Sequence, residues 1–183
     1  MRRLCLSLLL LAVLLPTALL LPACGREAPP PAASEVLAAM ESAMDATVQN
    51  RPEGAVYHRA LPPDAPAYLS DTLFSALYGE AARGLLTAEE GGTYRAVNDA
   101  ALLLSVAPYP CELAVFRCSD TRAAATVAGL CRGRLDTLAR GFAGSEWADT
   151  AAGGQIAVEG CFVLMALTED PASVLEAARQ CLK

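Results

Sequence analysis

The sequence predicts an α+β domain, a mostly antiparallel sheet of about four strands covered by helices, behind an N-terminal export leader. Three observations carry that expectation. Two pairs of short apolar runs, 101–106 with 113–118 and 155–158 with 161–167, are joined by too few residues for a crossover, so each pair reads as an antiparallel hairpin. Helical apolar spacing fills stretches before, between and after these pairs. Finally, residues 4–21 form an apolar run that Arg2 and Arg3 introduce and that ends in Leu21-Pro22-Ala23-Cys24.

The folded part starts with a helix capped by Ser34, in which Val36, Leu37, Met40, Met44 and Val48 recur at helical spacing. Pro52 and the proline-rich stretch 61–66 mark a long loop that contains His58. Ser70 or Asp71 opens a short helix with Leu73, Phe74, Leu77 and Tyr78 on one side, and Gly79 ends it. Residues 80–95 have no clear period, and Gly91-Gly92 marks a turn there. Pro108-Tyr109-Pro110 separates the first two strands. Residues 121–142 form a long helix whose apolar stripe is Val127, Cys131, Leu135, Leu138 and Phe142. Glu159-Gly160 makes a tight turn between the last two strands, and 161–167 is apolar on both faces, which places it inside the sheet. Asp170-Pro171 starts the final helix, with aspartate as cap and proline at the first helical position; Val174, Ala178 and Cys181 face inward.

The leader has the layout of a lipoprotein signal. Positive charge comes first, then an apolar core, then a small residue directly before a cysteine and an aliphatic residue three before it. The chain divides accordingly into a signal peptide at 1–23, a lipidated Cys24 with a proline-rich tether at 24–33, and a single domain at 34–183. An uncleaved membrane helix is the rival reading, since a span needs roughly 20 apolar residues. Pro16 interrupts this one, however, and no basic cluster follows it. Diacylglyceryl on Cys24, with palmitate-type chains, would hold the protein on the extracytoplasmic face of the membrane. Each buried methylene contributes about 0.8 kcal/mol, so two chains suffice where a single short chain does not.

The formal charge of −6 becomes −8 once the leader takes away Arg2 and Arg3, because it contains no acids. That balance argues against nucleic acid as a partner. Seven cysteines suggest a disulfide framework, but Cys5 leaves with the leader and Cys24 carries lipid. The remaining five are Cys111, Cys118, Cys131, Cys161 and Cys181, with no C-x-x-C pair for redox or zinc chemistry. Cys131 and Cys181 both sit on apolar helix stripes. They are a possible disulfide if the helices lie side by side, or two buried thiols if not. Cys118 and Cys161 lie on strands and are a second pair of possible near neighbours.

Other candidate sites are sparse, and the sequence suggests no catalytic residue, metal or cofactor. His58 is the only histidine and lacks any local partner motif. The acid pairs Glu89-Glu90 and Glu169-Asp170 read as a solvated loop and a helix start. Arg132, Arg134 and Arg140 read as a solvated helix face, and Trp147 as a cap on the core after the long helix.

From Leu77-Tyr78-Gly79 onward the chain resembles a family of uncharacterised clostridial-type lipoproteins from Gram-positive bacteria, a domain of unknown function. The resemblance covers roughly 71–180. It rests on that turn, on Glu112-Leu113-Ala114-Val115-Phe116-Arg117, on the long helix after Asp120 and on the hairpin Val158-Glu159-Gly160-Cys161-Phe162-Val163-Leu164. Cys161 stands where the family usually has a polar residue. The resemblance implies fold and address and supplies no catalytic residues. The expectation is therefore a non-catalytic module tethered at the cell envelope, binding an envelope protein or cell-wall material. The alternative is an envelope hydrolase or transferase using His58 or an acid pair. A two-lobed transport receptor would need a longer chain.

Overall fold

A computed structural model describes residues 29–47, 54–87, 95–105 and 109–183. The fold is that of the unit Pro31–Lys183. The leader, Cys24, Val48, Pro52, the Glu89-Glu90 pair and the Gly91-Gly92 turn lie outside the described residues. In chain order the elements are α1 (Ala33–Thr47), β1 (Gly54–His58), α2 (Asp71–Tyr78), a 3-10 turn (Glu80–Ala82), β2 (Val97–Ser105) and β3 (Glu112–Cys118). They continue with α3 (Thr121–Gly141), α4 (Ala148–Ala152), β4 (Gln155–Glu159), β5 (Phe162–Leu167) and α5 (Pro171–Cys181).

The protein is α+β, with one five-stranded sheet in the order β1-β2-β3-β5-β4, every neighbour antiparallel. Both expected hairpins are present. The sequence count was one strand short, because β1 falls in the segment read as loop. There Gly54-Ala55-Val56-Tyr57-His58 pairs with 101–105 and forms one edge. β5 is buried along its whole length between β3 and β4, as its two apolar faces require. The β4–β5 connection is a two-residue turn in which Gly160 has φ 59°, a conformation glycine adopts without steric cost.

Each face of the sheet has its own core. On one, α1 and α5 pack side by side, placing Leu37, Met40, Met44, Val174 and Ala178 over Leu103, Val115 and Leu164. On the other, α2, the 3-10 turn and α3 bring Phe74, Tyr78, Val127 and Cys131 over Leu102, Phe116 and Met165. Phe74, Tyr78 and Phe116 form an aromatic cluster with centroids 5.0–5.5 Å apart.

The caps follow the sequence with one displacement. The side chains of Ser70, Asp120 and Asp170 accept from the N–H groups of Leu73 (3.1 Å), Ala123 (2.7 Å) and Ser173 (3.2 Å), the type of contact that contributes about 1 kcal/mol per helix. The first helix, however, begins at Ala33, so Ser34 lies inside it. The orphan N–H groups at its start go instead to the Glu35 carboxylate, from Ala32 at 3.0 Å, and to Asp99 of β2, from Ala33 at 2.9 Å. A long-range carboxylate has replaced the local cap.

Candidate functional site

Three adjacent strands, β1, β2 and β3, bring their ends together where α1 begins. The register between β2 and β3 shifts by one residue at Asn98, so that Val97 turns to the α3 side while Asp99 stands opposite Arg117. A cleft of 360 Å³ opens here, lined by Arg59, Arg95, Asn98, Asp99 and Arg117 together with Tyr68.

Each arginine is held differently. Arg59 follows β1 directly, and its backbone N–H donates to Ala100 at 2.8 Å. Its guanidinium donates to the carbonyls of Leu69 (3.2 Å) and Leu86 (3.0 Å) and to the Tyr68 hydroxyl, and lies 4.9 Å from the centre of the Tyr68 ring. These contacts tie the proline-rich loop to the segment after the 3-10 turn, and no carboxylate is among them. Arg117 reaches Asp99 only at 4.0 Å, the limit of an ion pair, and its buried Nε has no hydrogen-bond partner. Arg95, just before β2, is exposed and makes no ion pair with the described residues. Asp99 is shared, since it also accepts from Ala33. Three guanidinium groups thus face one carboxylate in a chain whose overall charge is −6.

A second polar cluster is largely buried. Glu112 opens β3 and is buried. Arg134 of α3 binds it in bidentate fashion, Nη2–Oε2 2.7 Å and Nε–Oε1 3.2 Å, while the Tyr78 hydroxyl lies 3.4 Å from Oε1. Burial, reinforced by the Glu112 charge, pushes the Tyr78 phenol well above its usual range. For Arg134, burial acts to lower the pKa, but the Glu112 hydrogen bonds and charge outweigh it and the net direction is up. No substrate can approach a carboxylate so enclosed, so the cluster pins α3 to the sheet. The sequence reading of Arg132, Arg134 and Arg140 as one solvated face therefore holds for Arg132 and Arg140, which are exposed, and fails for Arg134.

The remaining sequence candidates are dispersed. His58 ends β1, and its buried Nδ1 has no partner; among the described residues no carboxylate, hydroxyl or thiol bonds to the ring. Glu169 accepts from the Tyr109 hydroxyl at 3.1 Å and Asp170 caps α5, so that pair serves structure. Hydrogen bonds from Ser173 hold the Asp170 carboxyl below its usual range. Trp147 packs edge-on against Tyr109, centroids 4.8 Å apart, at the margin of the α1/α5 core. Cys131 is buried under α3 on one face of the sheet, whereas Cys181 is exposed at the end of α5 on the other. A bridge between them would have to cross the sheet, and both thiols are free. Cys118 and Cys161 are neighbours across β3 and the β4–β5 turn, the Cys118 N–H donating to the Cys161 carbonyl at 2.8 Å; they too are free.

A second hollow of 350 Å³ lies between α3 and β4, where Arg132 and Asp136 balance one another. Among the described residues there is no group of three side chains able to hold a metal, and no helix long and apolar enough to cross a membrane. The arginine cleft was not anticipated. Its members are far apart in sequence, and only the strand order joins them.

Neither a protein-family model, nor a curated protein, nor a solved structure matches this chain.

Proposed function

We propose that the chain is a lipid-anchored protein of the extracytoplasmic membrane face, whose α+β domain is a non-catalytic binding module of the cell envelope. One observation carries the address: Leu21-Pro22-Ala23-Cys24 at the end of an apolar leader that two arginines introduce. What supports a short leash is the position of α1. It begins at Ala33, so the chain between Cys24 and the fold reaches at most ~30 Å when extended. What supports binding over catalysis is the dispersal of the reactive groups. A hydrolase or transferase needs His58, or an acid, beside a second group positioned by hydrogen bonds. Among the described residues His58 has no such partner, and the Glu169 and Asp170 carboxylates are occupied by Tyr109 and Ser173.

The test is mass spectrometry of the chain from cells fed an alkynyl fatty acid. The expected product starts at Cys24 and carries a diacylglyceryl mass, and Cys24→Ala abolishes both acylation and cleavage. A product that retains Met1 and carries no acyl group refutes the proposal.

A further inference from the structure

We infer that the Arg59–Arg95–Arg117 cleft is a binding site for a phosphoryl group. Its charge is the first argument. Three guanidinium groups against the Asp99 carboxylate leave a surplus of two positive charges, in a chain that is otherwise acidic. Arg95 and Arg59 have no acidic partner among the described residues, and Arg117 meets Asp99 only at 4.0 Å. Arg83, Arg134 and Arg179 are each paired, with Glu80 at 2.9 Å, Glu112 at 2.7 Å and Glu159 at 2.7 Å. Arg122, Arg132 and Arg140 have no ion pair among the described residues, but they are spread along an exposed helix face, whereas Arg59, Arg95 and Arg117 line one cleft.

The second argument is a donor without an acceptor. The Arg117 Nε–H is buried and unbonded at the cleft, and a buried donor of a charged group is ordinarily satisfied. With that donor unmet and the Asp99 contact at its limit, the exposed end of the guanidinium is left to an anion seated between Arg95 and Arg117. Arg59 would contribute mainly charge, because Leu69, Leu86 and Tyr68 take up three of its five N–H donors. Third, the site is built on strands. Arg117 lies within β3, Arg59 directly follows β1, and the register shift at Asn98 sets the wall between them. Bulges of this kind commonly re-aim side chains beside functional sites.

The charge also selects the ligand class. A phosphate monoester carries about −1.5 to −2 near neutral pH and matches the surplus in full. A phosphodiester carries about −1, as a carboxylate does, but its tetrahedral oxygens can meet guanidinium groups on more than one side. The volume, 360 Å³, suits a small phosphorylated molecule or one headgroup. The same chemistry has two sources at an envelope: a soluble phosphate monoester, or the phosphodiester of a glycerophospholipid headgroup. The second draws on the lipoprotein reading, because α1 starts on Asp99 at the cleft and the leash from Cys24 is short. Phosphoryl binding itself does not depend on the anchor.

The experiment is calorimetric titration of the full chain in neutral maltoside micelles. The probes are glycerol phosphate, glycerophosphoglycerol (the deacylated phosphodiester headgroup) and glycerol as the uncharged control. Saturable binding of a phosphate probe, with no response to glycerol, is expected. Arg95→Gln together with Arg117→Gln should weaken it at least tenfold, while Arg140→Gln, on the exposed face of α3, should leave it unchanged. Preference for the monoester assigns a soluble ligand, and preference for the diester assigns the headgroup. Trp147 near-UV dichroism reports folding; if the double variant does not fold, the exposed Arg95→Gln alone must still weaken binding. No saturable binding of either phosphate, or equal binding by the cleft variants and their parent, overturns the inference. Cys24→Ala, which cannot be acylated, should bind as the parent does, so failure of the anchor and failure of the site are separable.

Discussion

Removal of the Arg134 guanidinium tests the interior electrostatics most directly. The Glu112 side chain is 4% exposed and that of Arg134 19%. In Arg134→Ala the carboxylate would keep only the Tyr78 hydroxyl, 3.4 Å away. Stranding one member of a buried ion pair costs about 3–5 kcal/mol. For a domain of this size about 1 kcal/mol moves the melting temperature by roughly 2–4 °C, so a fall of about 6–20 °C is expected. Urea unfolding followed by fluorescence of the only tryptophan, Trp147, which packs on Tyr109, gives the free energy directly. The double variant Glu112→Gln/Arg134→Met removes both charges while the amide can still accept from Tyr78. It should recover most of the loss, because most of the cost is the uncompensated charge. A loss below about 1 kcal/mol for Arg134→Ala would mean that water screens Glu112 as it screens a surface pair, and the pinning role would be withdrawn.

Three further outcomes follow from the thiols and the last hairpin. A maleimide at pH 8 should label Cys181 and the partly exposed Cys161 quickly, and reach Cys111, Cys118 and Cys131 only after denaturation; equal rates at all five would contradict the burial pattern. Burial lifts the Cys118 thiol from 9.0 to about 12, so the unfolded chain loses that proton first as pH rises. Its contribution to stability is complete below pH ~9 and declines between ~9 and ~12, and Cys118→Ala should flatten that part of the stability profile. Gly160→Val places a β-branched residue at φ 59° in the two-residue turn and should cost about 1–2 kcal/mol by the same unfolding assay, with an unchanged denaturant slope.

Much of the fold was legible because its signals are local. The hairpins, the terminator Gly79, the caps at Ser70 and Asp170 and the fully apolar β5 each depend on residues within a few positions of one another. β1 escaped because it is short and lies between proline-rich stretches, and because its half-buried residues show no alternation. Its partner, residues 101–105, is more than forty positions away. Ser34 was the locally correct cap, but Asp99 supplied the acceptor from across the fold. Arg134 carried a readable sign: it lies three residues after Cys131, on the edge of the buried stripe of α3, and its apolar neighbours pointed inward with it. What sequence could not supply was Glu112, brought beneath it by the β3 register. The arginine cleft was hidden for the same reason, since Arg59, Arg95 and Arg117 meet only through the β1-β2-β3 order.

The packing of α1 beside α5 dictates the timing of assembly. A chain threaded through a membrane pore with its amino end leading delivers α1 first and α5 last. Met40 and Met44 then wait, uncovered on that flank, for a helix still on the far side. On the proposed export route, closure of this half of the protein would be the final act of passage, and a chain stopped before Pro171 would arrive with its first helix half-roofed.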